Sequence, residues 1–290
     1  MTDHRAEIGI LGGSGLYDMA GLSEVREARL ETPFGPPSDA LRIGLLGERR
    51  VAFLARHGRD HALLPGEINC RANVYAMKML GVRRILSASA VGSMREDIHP
   101  RDVVLPDQFI DRTRQRASTF FGDGVVAHVS MADPVCPETR RVLLGAVRSR
   151  GATAHDGGTY LCMEGPAFST RAESRLYRSW GVDVIGMTNA QEAKLCREAQ
   201  LCYATLALVT DYDCWHDEEE DVTVDTILEN LRANARLATE VLAEAVRALP
   251  EERRSCGCGR ALQYAMITSR SAIPEAARRR LAAILDDEPS

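Results

Sequence analysis

Two aspartates, Asp211 and Asp213, close the apolar run Leu206-Ala207-Leu208-Val209-Thr210. Residues two apart on a strand point to the same side. The pair therefore places two carboxyls together at the carboxyl end of a strand, where open α/β sheets keep their ligands. Such a pair suits a ligand carrying an acceptor nitrogen beside an exocyclic amine, the pattern on the Hoogsteen edge of adenine. Read alone, the segment is equally compatible with two solvated loop acids.

Other strand ends carry matching chemistry. Gly12-Gly13-Ser14-Gly15 follows a short apolar strand, and its glycines let backbone N–H groups approach an anion. It is not the dinucleotide fingerprint, because Asp18 stands where the third glycine belongs, and no Lys-Ser/Thr follows to make a Walker loop. A tight structural turn is its other reading. Arg56-His57-Gly58-Arg59 comes directly after the strand Val51 to Ala55. Arginine binds phosphate oxygens in bidentate fashion and histidine adds a donor, whereas a surface basic cluster is the alternative. Ser89 and Ala90 end another strand before Val91-Gly92, and Thr188 ends the strand Val182 to Met187. Four strand ends thus supply a hydroxyl, a guanidinium or an imidazole, and a fifth supplies the carboxyl pair. That convergence favours a ligand site over five unrelated surface features.

Strands are expected at Glu7 to Leu11, Leu41 to Leu46, Arg50 to Leu54, Arg84 to Ala90, Val103 to Ile110, Val182 to Met187 and Tyr203 to Thr210. Helices are expected from about Glu67 to Leu80, Pro137 to Arg150, Thr170 to Trp180, Ala190 to Gln200 and Thr223 to Leu249, and near Pro274 to Leu285. Gly81 and Gly151 stop two of these as C-caps. Strands alternating with helices indicate a layered α/β domain. The linker-like segment is Pro250 to Gly259.

The 290 residues, 45% hydrophobic and 27% charged, suffice for a sizeable globular core. A net charge of −5 provides no basic field for nucleic acid. Nothing approaches the ~18 uninterrupted apolar residues of a membrane span, and Met1 to Glu7 has no secretion-signal pattern behind it. A cytoplasmic enzyme is expected. Eight cysteines in a chain of this length are no disulfide framework, and Cys70, Cys162, Cys196 and Cys202 read as reduced core residues.

The motifs together resemble the trimeric nucleoside phosphorylase family over about residues 7 to 249. They are Gly12-Gly13-Ser14-Gly15-Leu16, Thr32-Pro33-Phe34-Gly35, Ala55-Arg56-His57-Gly58-Arg59, Asp107-Gln108-Phe109-Ile110-Asp111-Arg112-Thr113, Glu164-Gly165-Pro166-Ala167-Phe168-Ser169, Gly186-Met187-Thr188-Asn189 and Thr210-Asp211-Tyr212-Asp213-Cys214-Trp215. The resemblance implies an α/β fold of three layers, with a central mixed, partly barrel-like sheet flanked by helices. Residues 7–249 would form the catalytic domain. Residues 250–290 would form a Cys-Gly-Cys linker and a C-terminal helix packed on it.

Carried over position by position, the resemblance implies a phosphate site of Ser14, Arg56, His57, Ser89, the Ala90 amide and Thr188. It implies a ribose region at Phe168 and Met187, and a base site of Ser169, Asp211 and Asp213 beside Gly92. Val224 and Leu228 would wall the 5′-substituent, with His128 reaching in from a neighbouring subunit. The 6-oxopurine members have Glu in place of Ser169 and Asn in place of Asp211, so this set is the 6-aminopurine one.

The implied reaction is phosphorolysis of S-methyl-5′-thioadenosine without a cofactor, inorganic phosphate being the co-substrate. Asp211, with Asp213 and His57, would form the catalytic group, Asp211 protonating the leaving base. An ordinary Asp titrates near ~4, so Asp211 must be raised by desolvation and by its neighbour. An apolar pocket separates a thioether methyl from a hydroxyl by only ~1–3 kcal/mol, so some adenosine turnover is expected. A 6-oxopurine phosphorylase, a water-using nucleosidase or a nucleoside-binding module are the competing readings. A homo-oligomer is implied, a trimer or a hexamer, with neither nucleic acid nor membrane as partner. Cys256-Gly257-Cys258 resembles a disulfide or redox element of some relatives, with two free thiols as the alternative. No metal is expected, because no second Cys/His pair has the spacing to complete a zinc site.

Overall fold

Alternate residues of the central strands bury opposite faces, and this alternation sets the layers. The computed structural model describes residues 5–216, 224–251 and 256–286. In chain order the strands are β1 (Ile8–Gly12), β2 (Leu22–Ala28), β3 (Leu41–Leu46), β4 (Arg49–Ala55), β5 (Arg84–Ser93), β6 (Val103–Leu105), β7 (Gln108–Asp111), β8 (Ala154–Asp156), β9 (Thr159–Cys162), β10 (Val184–Gly186) and β11 (Cys202–Tyr212). The helices are α1 (Cys70–Met79), α2 (Pro137–Ser149), α3 (Arg171–Ser179), α4 (Asn189–Glu198), α5 (Val224–Ala248), α6 (Glu275–Arg280) and α7 (Ala282–Leu285).

Ile8, Ile10, Phe53, Leu86 and Leu206 bury one face against Leu143 and Val147 of α2 and Ala238 and Leu242 of α5. Leu11, Ala52, Leu54, Ile85 and Tyr203 bury the other against Val74 of α1, Ala193 and Leu195 of α4 and Ile284 of α7. Such strands, covered on both faces, read as continuous apolar runs.

The sheet is mixed and follows the path β2-β3-β4-β1-β5-β10-β9-β7, with β11 between β5 and β6 and with β8 beyond β6. β5 is long enough to fork it. Its body runs parallel to β1 and β11, and its last two residues, Gly92 and Ser93, pair antiparallel with β10. The sheet curls through this fork without closing into a barrel. The carboxyl ends of the parallel strands β4, β1, β5 and β11 therefore lie side by side at one edge of the sheet, with β10 paired to the end of β5.

Four departures from the sequence reading stand out, three of them with local causes. Val103 to Ile110 is two strands rather than one, β6 pairing with β11 and β8 while β7 pairs with β9. Pro106 separates them, since proline offers no N–H to a ladder. β2 was not anticipated because it is an edge strand, charged and largely exposed, with Ala28 its buried residue. β8 and β9 are too short, at three and four residues, to show a period. The final helix is also interrupted, at Leu281.

Residues 256–286 pack on the same core through Ala277, Leu281 and Ile284, and the Ala283 N–H donates to Tyr75 Oη at 3.2 Å. No helix among the described residues is long and apolar enough to cross a membrane.

Candidate active site

A β-bulge delivers the carboxyl pair. Val209 pairs with Val91 but Asp211 with Gly92, so Thr210 is the extra residue on β11. Bulges bend a strand and re-aim its side chains, and here the ladder disruption leaves carbonyls to be satisfied. Two amides of α5 do so: Asn230 Nδ2 donates to Thr210 O at 2.9 Å and Asn234 Nδ2 to Val209 O at 2.8 Å. Thr210 Oγ1 donates to Asp211 Oδ2 at 2.5 Å. Asp213 is held by its backbone N–H, which donates to Ser93 O at 3.0 Å. Its Oδ2 is buried and has no hydrogen-bond partner among the described residues. An acceptor left in that condition costs about 1–3 kcal/mol unless a ligand donates to it.

Arg56 is 1% exposed yet lines the same cavity. Its Nε donates to Glu192 Oε1 at 2.6 Å, Nη1 to Ala88 O at 2.8 Å and Nη2 to Ser87 Oγ at 2.6 Å. A guanidinium has five N–H donors in a fixed fork, and this clamp leaves it oriented rather than mobile. Burial acts against the Arg56 charge, and the Glu192 carboxylate more than restores it.

His57 departs from the donor role expected of it. Burial, reinforced by the Arg56 and His61 charges, pushes its pKa down to about 4. Its Nδ1 lies 2.8 Å from Leu63 O, and a carbonyl only accepts, so the proton of the neutral ring sits on Nδ1. Nε2 is then an acceptor, suited to a protonated phosphate oxygen or a sugar hydroxyl. The ring stacks on His61 at 4.3 Å, and His61 Nδ1 is 2.9 Å from Tyr17 Oη.

The cavity measures about 610 Å³ and brings together Ser14, Arg56, His57, Ser89, Ala90 and Thr188 with Gly92, Asp211 and Asp213. Met187 and Phe168 also line it. Thr188 is the N-cap of α4, so the amide end of that helix adds positive potential on the Arg56 side. Phe168 is 82% exposed at the rim.

Two residues expected at the site, Ser169 and Leu228, stand outside the cavity lining, and His128, expected from a neighbouring subunit, has no bearing on the lining of its own chain. Ser169 lies behind the lining, its Oγ 3.8 Å from Met163 Sδ and its carbonyl 3.3 Å from Cys214 Sγ. Leu228 is exposed, and Leu231, one turn on along α5, lines the cavity instead. The Val224 side chain lies outside the described residues. His128 is exposed and stands outside this cavity, its N–H donating to Ala265 O at 2.8 Å.

Sequence reasoning missed the support behind the lining. Glu192 Oε2 also accepts from Ser87 Oγ at 2.8 Å, Asn189 Nδ2 at 3.1 Å and Tyr203 Oη at 2.8 Å. Arg116 was missed as well. It pairs with Glu164 and donates to the carbonyls of Met163, Glu164 and Met187, fixing the segment that carries Phe168.

Residues 7–247 match the model of the phosphorylase superfamily. An S-methyl-5′-thioadenosine phosphorylase of Koribacter versatilis is 59% identical over 97% of this chain and 96% of that protein. A crystal structure of a methylthioadenosine phosphorylase from an antarctic soil metagenomic library aligns with a TM-score of 0.93 at 51% identity, covering 98% of this chain and all of that one (100%). A methylthioadenosine phosphorylase of Schistosoma mansoni in complex with adenine aligns at 0.86 and 37% identity, over 91% and 99% of the two chains.

Proposed function

Because the chain belongs to the phosphorylase superfamily, and within it to the S-methyl-5′-thioadenosine phosphorylases, we propose that it cleaves S-methyl-5′-thioadenosine with inorganic phosphate. The products are adenine and 5-methylthioribose 1-phosphate. One observation carries the reading: a clamped guanidinium and a carboxyl pair line a single cavity, Arg56 bonded to Ala88 and Asp211 paired with Gly92 four residues further along β5. The guanidinium suits a dianion and the carboxyl pair a 6-aminopurine, with room for a sugar in the same cavity.

In this reading Arg56, the hydroxyls of Ser14, Ser89 and Thr188 and the Ala90 amide hold phosphate below C1′. His57 Nε2 accepts from the protonated phosphate oxygen. As the C1′–N9 bond lengthens, the sugar becomes cationic and the base gathers negative charge. A phosphate oxygen bonds to C1′, the bond pair goes to N9, and Asp211 supplies the proton to N7. Asp213 Oδ2 accepts from the exocyclic amine, which satisfies its unpartnered oxygen. Holding both reactants removes a bimolecular ordering cost, and general acid catalysis adds ~10²–10⁴-fold. Leu231 and its neighbours offer the thioether an apolar wall. We propose no cofactor for the chemistry.

We further propose a cytoplasmic homotrimer in which a neighbouring copy covers the rim at Phe168. Light scattering tests the assembly, and a fully active monomer would remove it. Adenine release from S-methyl-5′-thioadenosine, followed with and without phosphate, tests the reaction. Release should require phosphate. Equal release in phosphate-free buffer would make the enzyme a hydrolase, and faster turnover of inosine would place it with the 6-oxopurine enzymes.

A further inference from the structure

Remote from this cavity, four cysteines meet. Cys136 is the N-cap of α2 and Cys202 is the first residue of β11. Cys256 and Cys258 flank Gly257, whose φ of 66° lies in the left-handed region open to glycine. The four Sγ atoms all lie within 4.8 Å of one another, and Cys202 and Cys256 are 3.6 Å apart. Three of the four residues are buried, and the fourth, Cys256, is half-buried. The Cys-Gly-Cys motif lacked a second pair in the sequence, and the fold supplies it from two elements far away in the chain.

We propose that Cys136, Cys202, Cys256 and Cys258 bind one structural zinc ion. Tetrahedral Zn–S bonds of about 2.3 Å put the sulfurs roughly 3.8 Å apart, close to the 3.6 Å observed between Cys202 and Cys256. An all-thiolate set is soft, and a closed shell of four protein ligands leaves no position for water, as in structural zinc sites. Each thiol releases its proton on binding, so the loaded site carries excess negative charge.

The surroundings answer that charge. Cys136 sits at the amino end of α2, where the helix dipole favours an anion. Thr139, three residues on, is 1% exposed, and its hydroxyl has no hydrogen-bond partner among the described residues. At the start of α2, that hydroxyl shares the helix face of the Cys136 side chain. An orphaned buried hydroxyl is costly, and a metal-bound thiolate beside it removes the cost. Asp211 is nine residues further along β11 than Cys202, about 30 Å at the usual strand rise. The ion therefore takes no part in the reaction. It pins residues 256–286 to β11 and α2.

The full-length protein, expressed with zinc in the medium and freed of loosely held metal, is assayed by elemental analysis, thiol titration and cobalt substitution. Close to one zinc per chain is expected, with all eight cysteines titrating as thiols after denaturation without reductant. Cobalt added to chelator-treated protein should give the intense visible bands of a tetrahedral thiolate site. Cys258→Ala should lose both the zinc and those bands. Metal-free protein that gives no cobalt bands overturns the proposal. So does a thiol count below eight, which would make the cluster a disulfide element. Should Cys258→Ala fail to fold, the cobalt spectrum of the unaltered chain decides alone.

Discussion

Arg56 Nε and Glu192 Oε1 meet at 2.6 Å, and both side chains are sealed from solvent, at 1% and 3% exposure. Arg56 directly follows β4 and Glu192 lies on α4, 136 residues apart in sequence. Buried ion pairs of this kind add little net stability over an apolar pair, but removing one partner strands the other charge. Their use here is positional: Glu192 sets the orientation in which the guanidinium reaches the cavity.

Glu192→Gln keeps the shape and removes the charge. It should lower stability by about 3–5 kcal/mol, the usual cost of breaking a buried pair, and raise the KM for phosphate. Urea unfolding and initial rates against phosphate measure the two effects. An unchanged urea midpoint would mean that Arg56 is not held by this carboxylate.

The legible part of the site was the part that touches ligand. Asp211, Asp213, Arg56 and His57 end apolar strands, and a polar residue at such a boundary is visible without a structure. Glu192 was hidden because Thr188-Asn189-Ala190-Gln191-Glu192 reads as an ordinary solvated helix start. Its burial follows from α4 lying across β5 and β11, which is tertiary information. The same applies to the thiol cluster, since nothing local links Cys136 and Cys202 to Cys256 and Cys258. The long helix was visible, but which of its turns meets the cavity was not, so Leu228 was expected where Leu231 stands. Strands failed where they were exposed, short or split by Pro106.

His57 links the site to pH. Its folded pKa of about 4 lies below the ordinary 6.5, chiefly through burial. Between those values the unfolded chain binds the proton and the folded chain does not, so unfolding gains as pH falls. The His57 contribution is therefore complete above about pH 6.5 and is lost progressively down to about pH 4, by at most ~1.4 kcal/mol per pH unit. Comparing the urea midpoints of wild type and His57→Gln across this range cancels the other groups. Stability curves that stay parallel would refute the depressed pKa, as would an imidazole NMR titration near 6.5.

Asp211→Asn replaces the acid with an amide that cannot protonate N7 but can donate to a 6-oxo group. Turnover of S-methyl-5′-thioadenosine should fall by ~10²–10⁴-fold, and turnover of inosine should fall less or rise. The partner bond from Thr210 Oγ1 to Oδ2 survives in the amide, so the fold should hold. Wild-type rates on S-methyl-5′-thioadenosine in this variant would assign the proton to another group.

Gly13 tests how closely the first loop must approach the phosphate side. A Cβ there would lie 2.4 Å from Ala88 O and 2.7 Å from Arg56 Nη1, and those two atoms are themselves bonded at 2.8 Å. Neither can yield cheaply, because the carbonyl belongs to central strand β5 and the guanidinium is clamped by Glu192 and Ser87. Gly13→Ala must therefore push Arg56 out of position, raising the KM for phosphate at least tenfold and lowering stability by about 1–3 kcal/mol, the usual cost of overpacking. Gly145→Ala is the matched control. It lies in α2, where its added Cβ meets nothing within 4 Å beyond the helix's own backbone and its chain neighbours among the described residues, and alanine in a helix interior gains about 0.5–1 kcal/mol over glycine. The two variants should move the urea midpoint in opposite directions, and only Gly13→Ala should change phosphate kinetics. Unaltered phosphate kinetics in a folded Gly13→Ala variant would show that Arg56 tolerates displacement, and its proposed grip on the dianion would fall with that result.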